Sequence, residues 1–181
     1  TSVFGNSGTG SDTLTVVSPP AFSKDFFPDD LLNNVISTLT FTIDNSANAV
    51  DATGLNFVDN LPSGMTVANT PNIVDSCIGG TVTALPDGNS VSYTGGTVLA
   101  GSVCTISVDI MVISSGNFVN ISGPLGSSLG DSPPGAATDS LSVAINLAVP
   151  TLSKSGLLVL ILLAGLIGFA AFRRRELGQG F

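Results

Sequence analysis

The chain has 181 residues, 13 acidic against 5 basic, a net charge of −8, and neither histidine nor tryptophan. All basic residues but Lys24 fall in the tail, at Lys154, Arg173, Arg174 and Arg175, which excludes nucleic acid as a partner because neutralising phosphates needs clustered Lys and Arg. Without histidine the commonest general base and the commonest transition-metal ligand are missing, so no cofactor is implied and no enzyme is expected.

Residues 1–17 end in Ser11-Asp12-Thr13-Leu14-Thr15-Val16-Val17, an alternating run with Leu14 and Val16 on one face. The run is similar to Thr138-Asp139-Ser140-Leu141-Ser142-Val143, and each is followed by a Pro-x-x-Ser-Lys stretch, at Pro20–Lys24 and at Pro150–Lys154. Residues 1–17 are therefore expected to be the last strand of a preceding unit, or a strand exchanged between copies.

Residues 18–147 have the length of one domain and almost none of the Glu, Lys, Arg and Gln that favour helices. Leu39-Thr40-Phe41-Thr42-Ile43-Asp44 and Val103-Cys104-Thr105-Ile106-Ser107-Val108-Asp109-Ile110 alternate apolar and polar residues, as half-buried strands do. Shorter runs occur at 54–59, 65–68, 81–84, 90–94, 118–121 and 139–147. Turn signals separate them at Leu61-Pro62-Ser63-Gly64, Pro86-Asp87-Gly88-Asn89, Gly95-Gly96, Ser114-Ser115-Gly116-Asn117 and Pro133-Pro134-Gly135. Seven to nine short strands at this spacing predict an all-β, antiparallel two-sheet sandwich.

Cys77 and Cys104 are the only cysteines, and an even count in an exported domain favours a disulfide between them over a redox pair or half a metal site. Serines abound, but no histidine and no Ser-x-x-Lys motif accompanies them. Gly79-Gly80 and Gly95-Gly96 lack the helix and lysine of a phosphate loop. Asp25, Asp29 and Asp30 are candidates for calcium, which needs hard oxygen ligands; the competing reading is solvated turn aspartates. Asn120-Ile121-Ser122 matches a glycosylation triplet within a predicted strand.

Residues 148–156 lead into an apolar run from Leu157 to Phe172 that ends at Arg173-Arg174-Arg175. As a helix the run spans roughly 25 Å, which flanking basic side chains extend by snorkelling to a bilayer's thickness. The arginines stay cytoplasmic, so the rest of the chain is exported and held at the surface, at least transiently. Ala164, Gly168 and Ala171 share one helix face with Gly165 beside them, small residues that let helices pack closely. Residues 173–181 form a basic cytoplasmic tail.

Two resemblances overlay this reading. Pro19-Pro20-Ala21-Phe22-Ser23-Lys24-Asp25-Phe26, Leu39–Asn45, Asp59-x-Leu61-Pro62-x-Gly64, Ser76-Cys77-Ile78-Gly79-Gly80 and Leu99–Cys104 resemble the DUF11-like repeat domains of bacterial surface proteins. That resemblance covers 19–147 and implies an immunoglobulin-like sandwich. Pro150, Thr151, Leu152, Ser153 and Gly156, with the helix and arginines after them, resemble IPTL-type carboxy-terminal sorting signals of Gram-negative bacteria. Val149 stands where isoleucine is usual, and Lys154-Ser155 replaces the common Glu-Trp. This second resemblance implies export, transient anchoring and a sorting protease as a partner.

The function expected is a non-enzymatic surface protein, the subunit of an extracellular filament, sheath or surface layer whose partners are other copies of itself. The alternative is a monomeric, membrane-anchored adhesin-type binding module.

Overall fold

The computed structural model describes residues 16–144 apart from Asn33. Within them lie β1 (Ala21–Phe27), β2 (Asp30–Leu32), β3 (Val35–Asp44), β4 (Ala52–Asn60), β5 (Met65–Val67), β6 (Val74–Asp75), β7 (Thr81–Thr83), β8 (Ser90–Val98), β9 (Val103–Val112), β10 (Gly116–Ile121) and β11 (Thr138–Ala144). From Ser37 in β3 and from Cys104 in β9 every second residue points inward and is buried, including Leu39, Phe41 and Ile43 on one strand and Ile106, Val108 and Ile110 on the other. These two strands pair antiparallel over their full length, from Val35 opposite Val112 to Asp44 opposite Val103.

One sheet runs β1-β3-β9-β5, with β6 also on β9. Facing it are two three-stranded sheets, β4-β8-β7 and β10-β11-β2. They meet where the Gly123 amide donates to the Val58 carbonyl and where Asn56 and Gly126 exchange main-chain hydrogen bonds. Leu55, Phe57, Val91, Tyr93, Leu141 and Val143 close the core from this side. The layers touch through aromatic rings, with Phe41 and Phe57 centroids 4.6 Å apart. The result is the all-β sandwich that the alternation predicts, of the immunoglobulin-like type that the family resemblance implies.

Several details differ from the sequence reading. β1, β2 and β6 were not among the expected runs, and β2 pairs with β11 in parallel, so the sandwich is not wholly antiparallel. Gly95-Gly96 is no turn: it lies inside β8, opposite an irregularity at Gly54 where the register against β4 shifts. Gly54 and Gly95 adopt positive φ, 64° and 81°, which suits glycine and lets the strand absorb the extra residue. The turns at 61–64 and 86–89 are as expected; Met65 N–H donates to the Pro62 carbonyl and Gly88 N–H to the Leu85 carbonyl.

Val16 and Val17 are exposed and precede the first strand. Ser18 is tied to Asn48, whose side-chain amide donates to the Ser18 carbonyl and accepts from its amide. Leu14, the sorting residues Pro150, Thr151, Leu152, Ser153 and Gly156, the span Leu157–Phe172 with Ala164, Gly165, Gly168 and Ala171, and Arg173, Arg174 and Arg175 lie outside the described residues.

Candidate functional site

Inward positions of three strands carry polar side chains where the pattern calls for apolar ones. In β1 the core-facing residues are Phe22, Lys24 and Phe26; in β4 they include Phe57 and Asp59; in β10 the buried residue is Asn120. Lys24 Nζ lies 2.7 Å from Asp59 Oδ1, and neither side chain has any accessible surface. Asn120 Nδ2 donates to the other oxygen, Oδ2, also at 2.7 Å. One carboxylate therefore holds a lysine on one oxygen and a primary amide on the other. Asn120 Oδ1 is buried without a hydrogen-bond partner among the described residues.

The surroundings are apolar. Phe41 places its ring centroid 5.9 Å from Lys24 Nζ, and Phe22 stacks beside it at 6.1 Å. Burial holds the Lys24 ammonium below the ordinary lysine range, with Asp59 and then Asp139 opposing that shift. Asp139 approaches from β11, where its Oδ2 accepts the Phe26 amide at 2.7 Å. A charge pair sealed this way costs desolvation that mutual attraction offsets only when the remaining lone pairs and protons are also satisfied. Here one acceptor is left over.

The aromatic row continues from Phe57 to Tyr93, 5.8 Å between centroids. The Tyr93 hydroxyl is fully buried and makes no hydrogen bond among the described residues. Gly80 and Gly96 flank it, and a Cβ at either would overlap the phenol oxygen. Burial, reinforced by the Asp75 carboxylate, pushes this phenol up to about 12. The folded state then keeps a proton that the unfolded chain loses near pH 10, so stability from this group is full below pH 10 and declines as pH rises toward 12. Tyr93 is the only tyrosine in a chain without tryptophan, so ultraviolet titration of phenolate reads it alone. A midpoint about two units higher in buffer than in denaturant is expected; equal midpoints would show the ring to be wet.

The calcium candidates do not converge. Asp25 points outward from β1, the Asp29 carbonyl is engaged by the Ser142 amide, and Asp30 belongs to β2 in the other layer. Among the described residues no three acidic, cysteine or histidine side chains gather as a metal site. Asn120 lies in a strand as expected, but it is buried and cannot serve as a glycosylation acceptor in the folded domain. Cys77 and Cys104 form a disulfide with Cα atoms 5.0 Å apart. It fastens the segment after β6 to the start of β9, beside hydrogen bonds from the Ser76 amide to the Thr105 carbonyl and from the Thr105 amide to Ser76 Oγ.

In the sequence Lys24 stands out as the lone basic residue before the tail, Asp59 as part of a family-like motif and Asn120 as part of a glycosylation triplet, and nothing there joins the three. The signal that finds them is a polar residue at the inward position of an aromatic alternation, Phe22-x-Lys24-x-Phe26, Phe57-x-Asp59-x-Leu61 and Phe118-x-Asn120.

Two layers of short strands around an aromatic core, with a polar cluster buried between them, define an immunoglobulin-like sandwich domain. The chain belongs to the family described as Domain of unknown function (DUF7933), whose model matches residues 20–143. An IPTL-CTERM motif matches residues 148–175. Both matches fall on the stretches that carried the two resemblances. No curated protein matches the sequence. Among solved structures, a non-cellulosomal cohesin from the archaeon Archaeoglobus fulgidus is similar at 9% identity and a TM-score of 0.50, over 68% of this chain and 91% of that one. A collagen-binding domain from a Staphylococcus aureus adhesin aligns at 14% identity and a TM-score of 0.44, over 72% and 99% of the two chains. An uncharacterized protein from Nocardia farcinica with an immunoglobulin-like fold aligns at 19% and 0.45, over 68% and 97%. At these identities the likeness concerns the fold alone.

Proposed function

We propose that this chain is a non-enzymatic, exported cell-surface protein that works as a structural subunit, assembling with copies of itself into a filament, sheath or surface layer. The observation that carries the reading is the IPTL-CTERM match, which begins at residue 148, directly after a family match ending at 143. A sorting motif that follows the sandwich domain within a few residues argues for export of that domain. The sealed state of Lys24 and Asp59 argues against chemistry on an outside substrate, because nothing from solvent reaches them. Val58, Val119 and Ile121 are at least half exposed on the adjoining strands β4 and β10, an outward apolar strip suited to contact between copies.

In this proposal the alternating run ending at Val17 is the exchanged element, adding main-chain hydrogen bonds to a neighbour's sheet edge. Such a head-to-tail contact generates open filaments. Removing residues 1–17 tests it by electron microscopy and light scattering. The full chain is expected to form ordered assemblies and the shortened chain to remain monomeric. Filaments from the shortened chain would end the exchange mechanism, and a monodisperse full-length monomer would favour the anchored binding module instead.

A further inference from the structure

We infer that Lys24 and Asn120 become joined by an intramolecular amide bond, formed within the folded domain with Asp59 as the proton-transferring group. The inference is independent of the assembly reading. It rests on the geometry of three buried side chains: a lysine on one oxygen of a carboxylate, a primary amide on the other, and no solvent around them.

Lysine is an unusual choice for this position. It is the only basic residue before Lys154, it stands in the core between Phe22 and Phe26, and an apolar side chain there would avoid the desolvation of both charges. Polar core groups left partly satisfied are unfavourable, and Asn120 Oδ1 is one such group. An arrangement poor as a static ion pair is well suited to a reaction. The burial that disfavours the Lys24 ammonium favours the neutral amine, the form with a free electron pair.

The steps balance without any outside reagent. One proton passes from Lys24 Nζ to Asp59 across their short hydrogen bond, leaving a neutral amine and a carboxylic acid. A half-turn of the Asn120 amide about its soft terminal torsion brings Oδ1 to that acid, which then polarises the carbonyl. The Nζ electron pair attacks Asn120 Cγ and a carbon–nitrogen bond forms. Asp59 relays protons from the attacking nitrogen to Nδ2, the Cγ–Nδ2 bond breaks, and ammonia departs. The products are a secondary amide between Lys24 and Asn120, one molecule of ammonia, and Asp59 carrying the proton that Lys24 first gave up. Proximity supplies the rate: three strands from distant parts of the chain hold the amine and the amide on the two oxygens of one carboxylate, and the site excludes the water that would otherwise solvate the amine.

Mass spectrometry of the full chain, denatured and with the Cys77–Cys104 disulfide reduced, is expected to give a mass short of the sequence by one ammonia. Trypsin in denaturant is expected to cut at Lys154 but spare Lys24, since an acylated lysine is not a cleavage site. Peptide mapping should recover the segments around Lys24 and Asn120 as one cross-linked species. The full sequence mass with cleavage at Lys24 would overturn the inference, and so would the loss of one water mapped to a Lys24–Asp59 link. Asn120→Ala and the near-isosteric Asp59→Asn should both restore the sequence mass and cleavage at Lys24. Because the unaltered chain decides whether the bond exists, misfolding of a variant leaves the test intact. A cross-link surviving in Asp59→Asn would remove Asp59 from the mechanism.

Discussion

Replacing Asp59 by alanine is expected to lower the stability of the domain by about 3–5 kcal/mol, the usual cost of leaving one partner of a sealed ion pair alone. Lys24 would then sit among Phe22, Phe41 and Phe57 with no counter-charge in contact, and Asn120 would lose its acceptor. The chain has two ways to respond, by deprotonating the lysine or by opening the sandwich to water, and both are costly. Urea denaturation followed by circular dichroism measures the loss. The decisive comparison is with Lys24→Met combined with Asp59→Leu, which removes both charges and keeps apolar volume in the core. That double variant should be more stable than Asp59→Ala alone, although the orphaned Asn120 amide still costs about 1–3 kcal/mol. If the double variant is the weaker of the two, the pair matters through something other than its charges.

The second large effect belongs to the disulfide. Reduction, or Cys77→Ser with Cys104→Ser, is expected to remove about 3–4 kcal/mol on the chain-entropy account for the loop it closes. That loop spans 27 residues of sequence separation and carries β7, β8 and the Tyr93 surroundings between its ends. β6 is only two residues long and holds to β9 through Val74 and Asp75, so the covalent link is the strongest tie on that edge. Thermal unfolding with and without a reductant measures the difference. Equal midpoints would mean that the unfolded chain gains no freedom from the broken bond.

Much of the sandwich is legible in the residues. β3 and β9 announce themselves because alternation over 39–44 and 103–110 is best satisfied by a strand with one buried face. The Pro-Ser-Gly and Pro-Asp-Gly-Asn turns are equally plain, since few residues tolerate their backbone angles. What stays hidden follows a physical pattern. β1 escapes notice because Lys24 interrupts its apolar face, and a lysine in that place reads as solvent-exposed until its partner is known. β2 and β6 have three and two residues, too few for any periodicity, and exist because a neighbouring strand offers hydrogen bonds. Gly95-Gly96 has the composition of a turn, but its small size instead makes room for the Tyr93 hydroxyl. The cluster itself is the least legible feature. Its members stand 35 and 61 residues apart along the chain, and only the sheet order places them together.

The parallel pairing of β2 with β11 governs how the domain would carry tension. Asp30, Leu31 and Leu32 run alongside Ser142, Val143 and Ala144 in the same direction, and the Ser142 amide also donates to the Asp29 carbonyl. Tension that enters β2 at Asp30 and leaves β11 at Ala144 acts on opposite ends of this pair, so its hydrogen bonds are strained together in shear. An antiparallel pair loaded at adjacent ends would unzip one bond at a time. Tension that reaches β2 through β1 therefore meets this pair in its more resistant direction.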